Sequence, residues 1–323
     1  MIVSQVIRPL PARTSPLPGE SLASLLRRTA EAMGYEGPPR VRSLLSDFRT
    51  APANVNLLPP GRWLDQLAGI LGRPIADLLE MTFYRLAAQL VLSPCGSPCT
   101  SVADSKIMRK YFFASVSPIC PVCLKEDSIP HERLVWSFRA LPMCMTHRCL
   151  LVGQCPDCHR ALRCDRQHVS YCPCGYRLGE SRAEPVSPQE TNLARMLEQL
   201  LMDRAYLLPK MPPAATFWWA ERLAASVAKT PAWMEDFGKR MDTQADDAPE
   251  FLSWLSAAEI LGEWPDRFED FLNVFQQVAK HRTTSTGISR RFGRLLREAA
   301  YLEQIGYPAP ANVLRDYLLR RSV

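Results

Sequence analysis

The length and composition of the chain indicate a folded protein with a sizeable apolar interior. It has 323 residues, of which 47% are hydrophobic and 22% charged, and a net charge of +6, which argues against wholesale disorder. There is neither an apolar run of about 18 residues nor the charged start, apolar stretch and cleavage site of a signal peptide. We therefore expect about two or three domains, no membrane segment and a cytoplasmic location.

The first predicted element is an amphipathic helix. Pro18-Gly19 precedes the segment Glu20 to Met33, where leucine, alanine and methionine recur at helical spacing. Arg27 and Arg28 lie away from this apolar stripe.

A pair of short helices follows in Trp63 to Met81. Apolar residues recur up to Leu71, Gly72 interrupts the pattern, and Pro74 stands where a second helix would begin. Two short helices joined by a tight glycine turn predict a helix-turn-helix-like unit. Packing alone would explain the pair equally well, since Arg73 is the single cation near the start of the second helix.

The middle of the chain has the spacing of two zinc sites. Pairs of cysteines, or of cysteine and histidine, separated by two residues let a turn aim both side chains at one ion, and two pairs complete a tetrahedron. The last pair, Cys172-Pro-Cys174, has one residue between its ligands and is followed by Gly175, which would ease the turn. The predicted ligands are Cys120, Cys123, Cys144 and His147 for the first site, and Cys155, Cys158, Cys172 and Cys174 for the second.

Both predicted sites have four protein ligands, so we expect two structural Zn²⁺ ions that supply folding energy. The identity of the last ligand of the second site stays undecided at this point, because Cys164, His159 or His168 could also complete the set. Four further cysteines are interpreted as buried thiols rather than ligands. These are Cys95, Cys99, Cys149 and Cys164.

Beyond Pro188 the pattern is helical again, with prolines between the segments. The predicted helices are Glu190 to Arg204, Ala215 to Ala228, Phe251 to Leu261, Arg267 to Lys280, Ile288 to Gln304 and Ala311 to Arg320. The predicted fold class is thus mainly α. Its predicted domains are an N-terminal helical domain (1–100), a double zinc-knuckle domain (101–185) and a C-terminal helical domain (186–323).

The charge of the C-terminal part is unevenly distributed. Glu235 to Asp270 holds eleven acids and three bases, whereas Lys280 to Arg321 holds nine bases and three acids. A basic helix can contact phosphates, although two solvated helix faces would give the same pattern. The candidate nucleic-acid-binding residues are Arg282, Arg290, Arg291, Arg294 and Arg297.

The order of these features resembles the TniQ family of transposition proteins. The resemblance rests on Pro18-Gly19-Glu20-Ser21-Leu22, on a helix pair ending in Met81-Thr82, and on the run Cys-x-x-Cys, tryptophan (Trp136), Cys-x-x-His, Cys-x-x-Cys, Cys-x-Cys-Gly. It covers residues 9 to 179. The family usually has glycine where this chain has Arg148 and His159, so those two turns must accommodate a side chain.

The resemblance implies a non-enzymatic targeting adaptor. Family members accompany a transposase and an AAA+ ATPase; one branch binds a DNA site directly and another couples a CRISPR effector with its guide RNA to transposition. Such an adaptor could also form a homodimer. The sequence has no phosphate-binding loop, and His131-Glu132 lacks the second histidine of a zinc protease. The alternatives are a sequence-specific DNA-binding target-site selector, a transcription regulator, and a scaffold that touches no nucleic acid.

Overall fold

The structure is a computed structural model that describes residues 10–12, 14–35, 54–57, 61–86, 110–202, 207–241, 249–282 and 292–320. The described residues fall into two compact units, the first ending at Val186 and the second beginning at Ser187. Helices dominate both, and the predicted mainly α fold with a central Cys/His region is confirmed. The three-domain division stays a prediction.

Three helices form the N-terminal part of the first unit: α1 (Leu22–Ala32), α2 (Arg62–Leu71) and α3 (Ile75–Glu80). Gly72 ends α2 in the left-handed conformation, with φ of 63°, and its N–H donates to Ala68. This is the predicted glycine turn of the helix-turn-helix-like unit. Leucines of all three helices share one core, and two 3₁₀ turns, Val55–Leu57 and Phe83–Leu86, flank it.

The start of α1 is fixed by the residues of the Pro-Gly-Glu-Ser segment. Ser21 is the N-cap, and its hydroxyl accepts a hydrogen bond from the Ser24 N–H. The Glu20 carboxylate accepts hydrogen bonds from the Ser24 hydroxyl at 2.8 Å and from the Leu17 N–H at 3.0 Å. It also pairs with Arg28 at 2.7 Å, so that this arginine is buried although it lies off the apolar stripe.

The Cys/His region of the first unit has little regular structure. It contains α4 (Pro121–Glu126), the two-residue strands β1 (Met143–Cys144) and β2 (Cys149–Leu150), and 3₁₀ turns at Leu134–Ser137 and Leu178–Glu180. The strands form an antiparallel pair with Cys144 opposite Cys149. Cysteine side chains make up much of the local core, together with Trp136 and a few aliphatic residues. A segment built in this way depends on something other than apolar burial for its stability.

The second unit is a helical assembly. Its described helices are α5 (Pro188–Leu201), α6 (Pro213–Val227), α7 (Pro231–Met241), α8 (Pro249–Gly262), α9 (Asp266–Arg282), α10 (Gly293–Gln304) and α11 (Ala309–Arg320). Six of these correspond to predicted segments, most with ends shifted by a few residues. The start of the predicted segment Ile288 to Gln304 lies outside the described residues. Helix α7 was not predicted.

Aromatic side chains fill the core of the second unit. Trp219 and Phe217 of α6, Phe237 of α7 and Phe268 of α9 are fully buried. Helix α8 packs against α5, α6 and α7, and eleven consecutive residues of it, 251–261, are buried. Glu250 and Glu259 of the acidic stretch therefore lie in a helix that is almost entirely core, and Glu259 is itself buried.

Candidate metal centres

The first candidate centre is assembled by a helix start and a hairpin. Cys120 is the N-cap of α4, Pro121 occupies the first helical position, and the Cys123 N–H donates to Cys120 Sγ at 3.4 Å. Cys144 lies in β1, and His147 lies in the turn between β1 and β2. The helix supplies the first ligand pair, and the hairpin supplies the second.

The four ligand atoms of this centre lie within 4.8 Å of one another. Cys123 Sγ is 3.6 Å from Cys144 Sγ and 3.1 Å from His147 Nδ1. His147 Nδ1 is also 3.5 Å from Cys120 Sγ and 3.7 Å from Cys144 Sγ. The imidazole therefore faces all three sulfurs through Nδ1.

The second candidate centre contains the four predicted cysteines, whose sulfurs also lie within 4.8 Å of one another. Cys155 Sγ is 3.7 Å from Cys174 Sγ, and Cys158 Sγ is 3.6 Å from Cys172 Sγ. Cys174 is exposed and Cys158 half-buried, whereas all three cysteines of the first centre are buried. The two centres therefore differ in ligand set and in access from solvent.

These distances fit a tetrahedral zinc site. Ligands about 2.3 Å from a central zinc ion are about 3.8 Å apart along the edges of the tetrahedron. The observed separations between sulfurs of predicted ligands, 3.6 to 3.7 Å, match that edge. A disulfide would require two sulfurs about 2.05 Å apart, so these cysteines are not paired covalently.

The electrostatics of the first centre also fit a cation. Hydrogen bonds from Cys123, Cys144 and Cys149 lower the pKa of the Cys120 thiol, while the hydrogen bond to Cys120 raises the pKa of Cys123. Without a cation the group can hold one thiolate that the other thiols solvate, and further ionisation is opposed. A divalent ion would relieve that opposition, because zinc binds cysteine as thiolate.

In the second centre the pKa of the Cys158 thiol lies below its ordinary value. A backbone hydrogen bond from Arg160 lowers the pKa of Cys158 to about 7. A backbone hydrogen bond from Tyr176 lowers the pKa of Cys174, but desolvation and hydrogen bonds to neighbouring cysteines together outweigh it and raise that pKa to about 12.

The alternative ligands of the second centre lie outside the four-sulfur group. Burial raises the pKa of the Cys164 thiol to about 11, which fits a neutral buried thiol. His159 and His168 are exposed. Cys149 is buried with Sγ 3.7 Å from Cys120 Sγ, and its pKa is raised chiefly by that hydrogen bond, so it acts as a thiol donor. Cys95 and Cys99 lie outside the described residues.

The two turns at which the family usually has glycine are formed here by Arg148 and His159. Arg148, after the histidine of the first centre, has φ of 51°, and His159, after the third ligand pair, has φ of 57°. Gly175 occupies the left-handed turn after Cys174, with φ of 93°. The backbone thus keeps the left-handed turn at the two positions where a side chain is present, at a cost in strain.

A buried ion cluster joins the Cys/His region to α1. The Glu132 carboxylate bonds to Arg27 and Arg166 and accepts a 2.6 Å hydrogen bond from the Ser117 hydroxyl. Arg27 also donates to the carbonyl oxygens of Arg166 and Cys164. Burial alone would raise the pKa of Glu132, but the charges of the two arginines and the hydrogen bonds outweigh it and lower that pKa.

Sequence reasoning missed this cluster. Its members are far apart along the chain, and Glu132 was considered only as part of an incomplete protease motif. No local signal could have found it, because the partners of Arg27 follow more than a hundred residues later.

The predicted nucleic-acid-binding arginines are only partly placed by the structure. Arg290 and Arg291 lie outside the described residues, and Arg282 ends α9 with its side chain undescribed. Arg294 and Arg297 are exposed on α10, where Arg294 Nε lies 3.1 Å from the Glu298 carboxylate. Their role stays a prediction.

Helical packing, two closed Cys/His centres and an ion cluster that joins them to the first helix define the class: a helical protein with a tandem zinc-knuckle region. Residues 11–151 match the TniQ family model, and this match confirms the resemblance over that segment. The TniQ match implies a role in transposition. No curated protein matches the chain. Within the described part of the chain, every helix is too short or too polar to span a membrane.

Proposed function

We propose that this protein is a non-enzymatic targeting adaptor in transposition. It would link a target-recognition complex, an RNA-guided CRISPR effector, to the AAA+ ATPase and the transposase. The proposal rests on the TniQ match together with two closed four-ligand centres. Such centres stabilise a fold and leave no ligand position for substrate, in contrast to catalytic zinc sites with three protein ligands and a water.

The ligand sets proposed for the two structural zinc ions are the eight residues already described. The first set is nearly buried, and its cysteines are part of the local core. Metal at that position would replace the apolar packing that this segment lacks. Replacing Cys123 or Cys158 by serine should therefore remove about one zinc each and destabilise the first unit.

The experiment that tests the adaptor role is a pull-down of the tagged protein from cells that express its genomic neighbours. Bound proteins, RNA and zinc are analysed together. Recovery of a CRISPR effector with guide RNA and of the ATPase supports the proposal. Recovery of the ATPase with DNA but no RNA would refute RNA-guided recruitment and favour direct site selection. The Cys123→Ser variant provides a control, because loss of the fold should abolish specific recovery.

The second candidate function is direct DNA-site selection, and its support is the two exposed arginines of α10, Arg294 and Arg297. Arg297 is exposed there, whereas Arg294 is partly neutralised by Glu298. The helix-turn-helix-like unit gives less support, since its second helix exposes Asp77 and Glu80, which repel phosphates.

Salt-dependent DNA binding separates this candidate from the adaptor. Arg297→Ala should reduce the slope of log affinity against log salt by about one if the side chain contacts a phosphate. Arg315→Ala is the matched control, because Arg315 is exposed on the next helix but paired with Glu303 at 2.8 Å. An equal slope for the two variants and the unchanged protein would leave Arg297 without a role in DNA binding.

A further inference from the structure

Both ring nitrogens of His147, the histidine of the first centre, lie close to polar groups. His147 Nδ1 faces the three sulfurs at 3.1 to 3.7 Å. On the opposite side of the ring, Nε2 lies 3.2 Å from Glu126 Oε2. A carboxylate thus stands behind the imidazole, on the side away from the ligand atoms.

Glu126 reaches this position because of its place in α4. Cys120, Cys123 and Glu126 are three residues apart, so the cap and the helix present all three on the same side. Two of them are predicted ligands, and the third is the last residue of the helix. The short helix therefore carries half of the first ligand set and the partner of another ligand.

We propose that Glu126 is a positioning residue of the first zinc centre, through a hydrogen bond that its carboxylate accepts from the Nε2–H of His147. This inference rests on the proposed ligand set. The bond fixes the tautomer in which Nδ1 is free of a proton and available to the metal. It also holds the ring in the orientation that the sulfurs require.

A simple surface ion pair is the competing explanation. The Glu126 side chain is 64% exposed, and exposed ion pairs contribute little to stability. Metal affinity separates the two explanations, because an ordinary surface pair would leave it unchanged, whereas loss of a histidine's outer partner lowers it by about 10- to 100-fold. Since the carboxylate is exposed to water, we expect the lower end, about 10-fold.

The test uses the full chain with Glu126→Ala and Glu126→Gln variants. Affinity is measured by competition with a chelator, and Co²⁺ in place of zinc distinguishes the three-thiolate from the four-thiolate site by its visible spectrum. Glu126→Ala should weaken the first site alone, and Glu126→Gln, which keeps an acceptor oxygen but loses the charge, should fall between. Glu180→Gln is the matched control, because Glu180 is 62% exposed and pairs with Arg177 near the second site.

A second measurement reports the hydrogen bond itself. In the zinc-loaded protein, nitrogen NMR of His147 should show a metal-bound Nδ1 and an Nε2–H that exchanges slowly with water, and exchange should be faster in Glu126→Ala. Unchanged affinity and unchanged exchange in Glu126→Ala would overturn the positioning role. A metal-free His147 in the unchanged protein would instead overturn the proposed ligand set itself.

Discussion

The buried ion cluster around Glu132 makes the most demanding prediction. The Glu132 side chain is 1% exposed and stands between Arg27, which is fully buried, and Arg166, which is nearly so. In Glu132→Gln the shape is retained but both guanidinium groups lose their counter-charge. Removing one partner of a buried ion pair costs about 3 to 5 kcal/mol, and here one removal leaves two unpaired cations. We expect a loss of at least that size in the free energy of unfolding.

The readout must report on the first unit alone. Hydrogen exchange followed by mass spectrometry, on peptides that cover α1 and the β1–β2 hairpin of the zinc-loaded protein, meets that need. Glu180→Gln is again the control, since an exposed substitution of this kind changes stability by about 0.5 kcal/mol or less. A loss below about 1 kcal/mol for Glu132→Gln would show that the cluster contributes little net stability, and would refute the reasoning.

The same cluster predicts a pH dependence. The pKa of Glu132 in the folded protein lies below its ordinary value of 4.5, so its contribution is fully present above that value. It is lost as the pH falls through the folded pKa, because the carboxylate must then be protonated. The stability difference between the unchanged protein and Glu132→Gln should therefore be constant above about pH 5 and narrow below pH 4.5. A stability difference that widens as the pH falls would contradict the predicted direction of this pH dependence.

Four further predictions concern the knuckles and the first helical unit. A chelator should remove metal from the second centre first, because Cys174 is exposed, and native mass spectrometry of Cys123→Ser and Cys158→Ser, each retaining one centre, should show the order. Arg148→Gly and His159→Gly should each raise stability in urea by about 0.5 kcal/mol: the left-handed turn costs an L-residue about 1 to 2 kcal/mol, and glycine's extra freedom in the unfolded chain offsets part of the gain. Gly72→Ala should lower the stability in urea by about 1 kcal/mol, because alanine would then have to adopt the left-handed turn. Cys164→Ser should still bind two zinc ions by elemental analysis, and loss of one would make Cys164 a ligand.

The features that could be predicted from sequence are local ones. Ligand pairs with one or two residues between them, the glycine turn at Gly72, and prolines that begin helices all act within a few residues. The structure brings the predicted cysteines and His147 into two groups and ends α2 at Gly72. Each of these signals has a physical cause that does not depend on the rest of the fold.

Helix α7 was not predicted because the stretch from Glu235 onward was judged by its many acidic residues and not by the spacing of its apolar ones. Trp233, Met234 and Phe237 are buried in α7 at helical spacing, and Pro231 begins the helix. Charged residues mark the solvent-exposed side of a helix, whereas apolar residues at helical spacing mark its buried side. The pattern of the apolar residues was the better guide.

The burial of Arg27 could not be predicted locally, because its partner follows more than a hundred residues later. The same long-range contact explains why the Pro-Gly-Glu-Ser segment before α1 and the Cys/His run of the first centre occur together in one chain. Glu20 forms a β-bridge with Arg133, the Ser21 N–H donates to the Glu132 carbonyl at 2.9 Å, and the Leu134 N–H donates to the Gly19 carbonyl at 2.8 Å.

The segment that makes these contacts runs between Cys123 and Cys144, so proposed ligands of the first centre lie on both sides of it. Metal bound there would close the loop that presents Glu132 to α1, and the loop in turn fixes the start of α1 through its backbone. The Pro-Gly-Glu-Ser segment and the first knuckle are therefore two halves of one contact. A substitution in either half should loosen the other, as the exchange experiment on Glu132→Gln would measure in both sets of peptides.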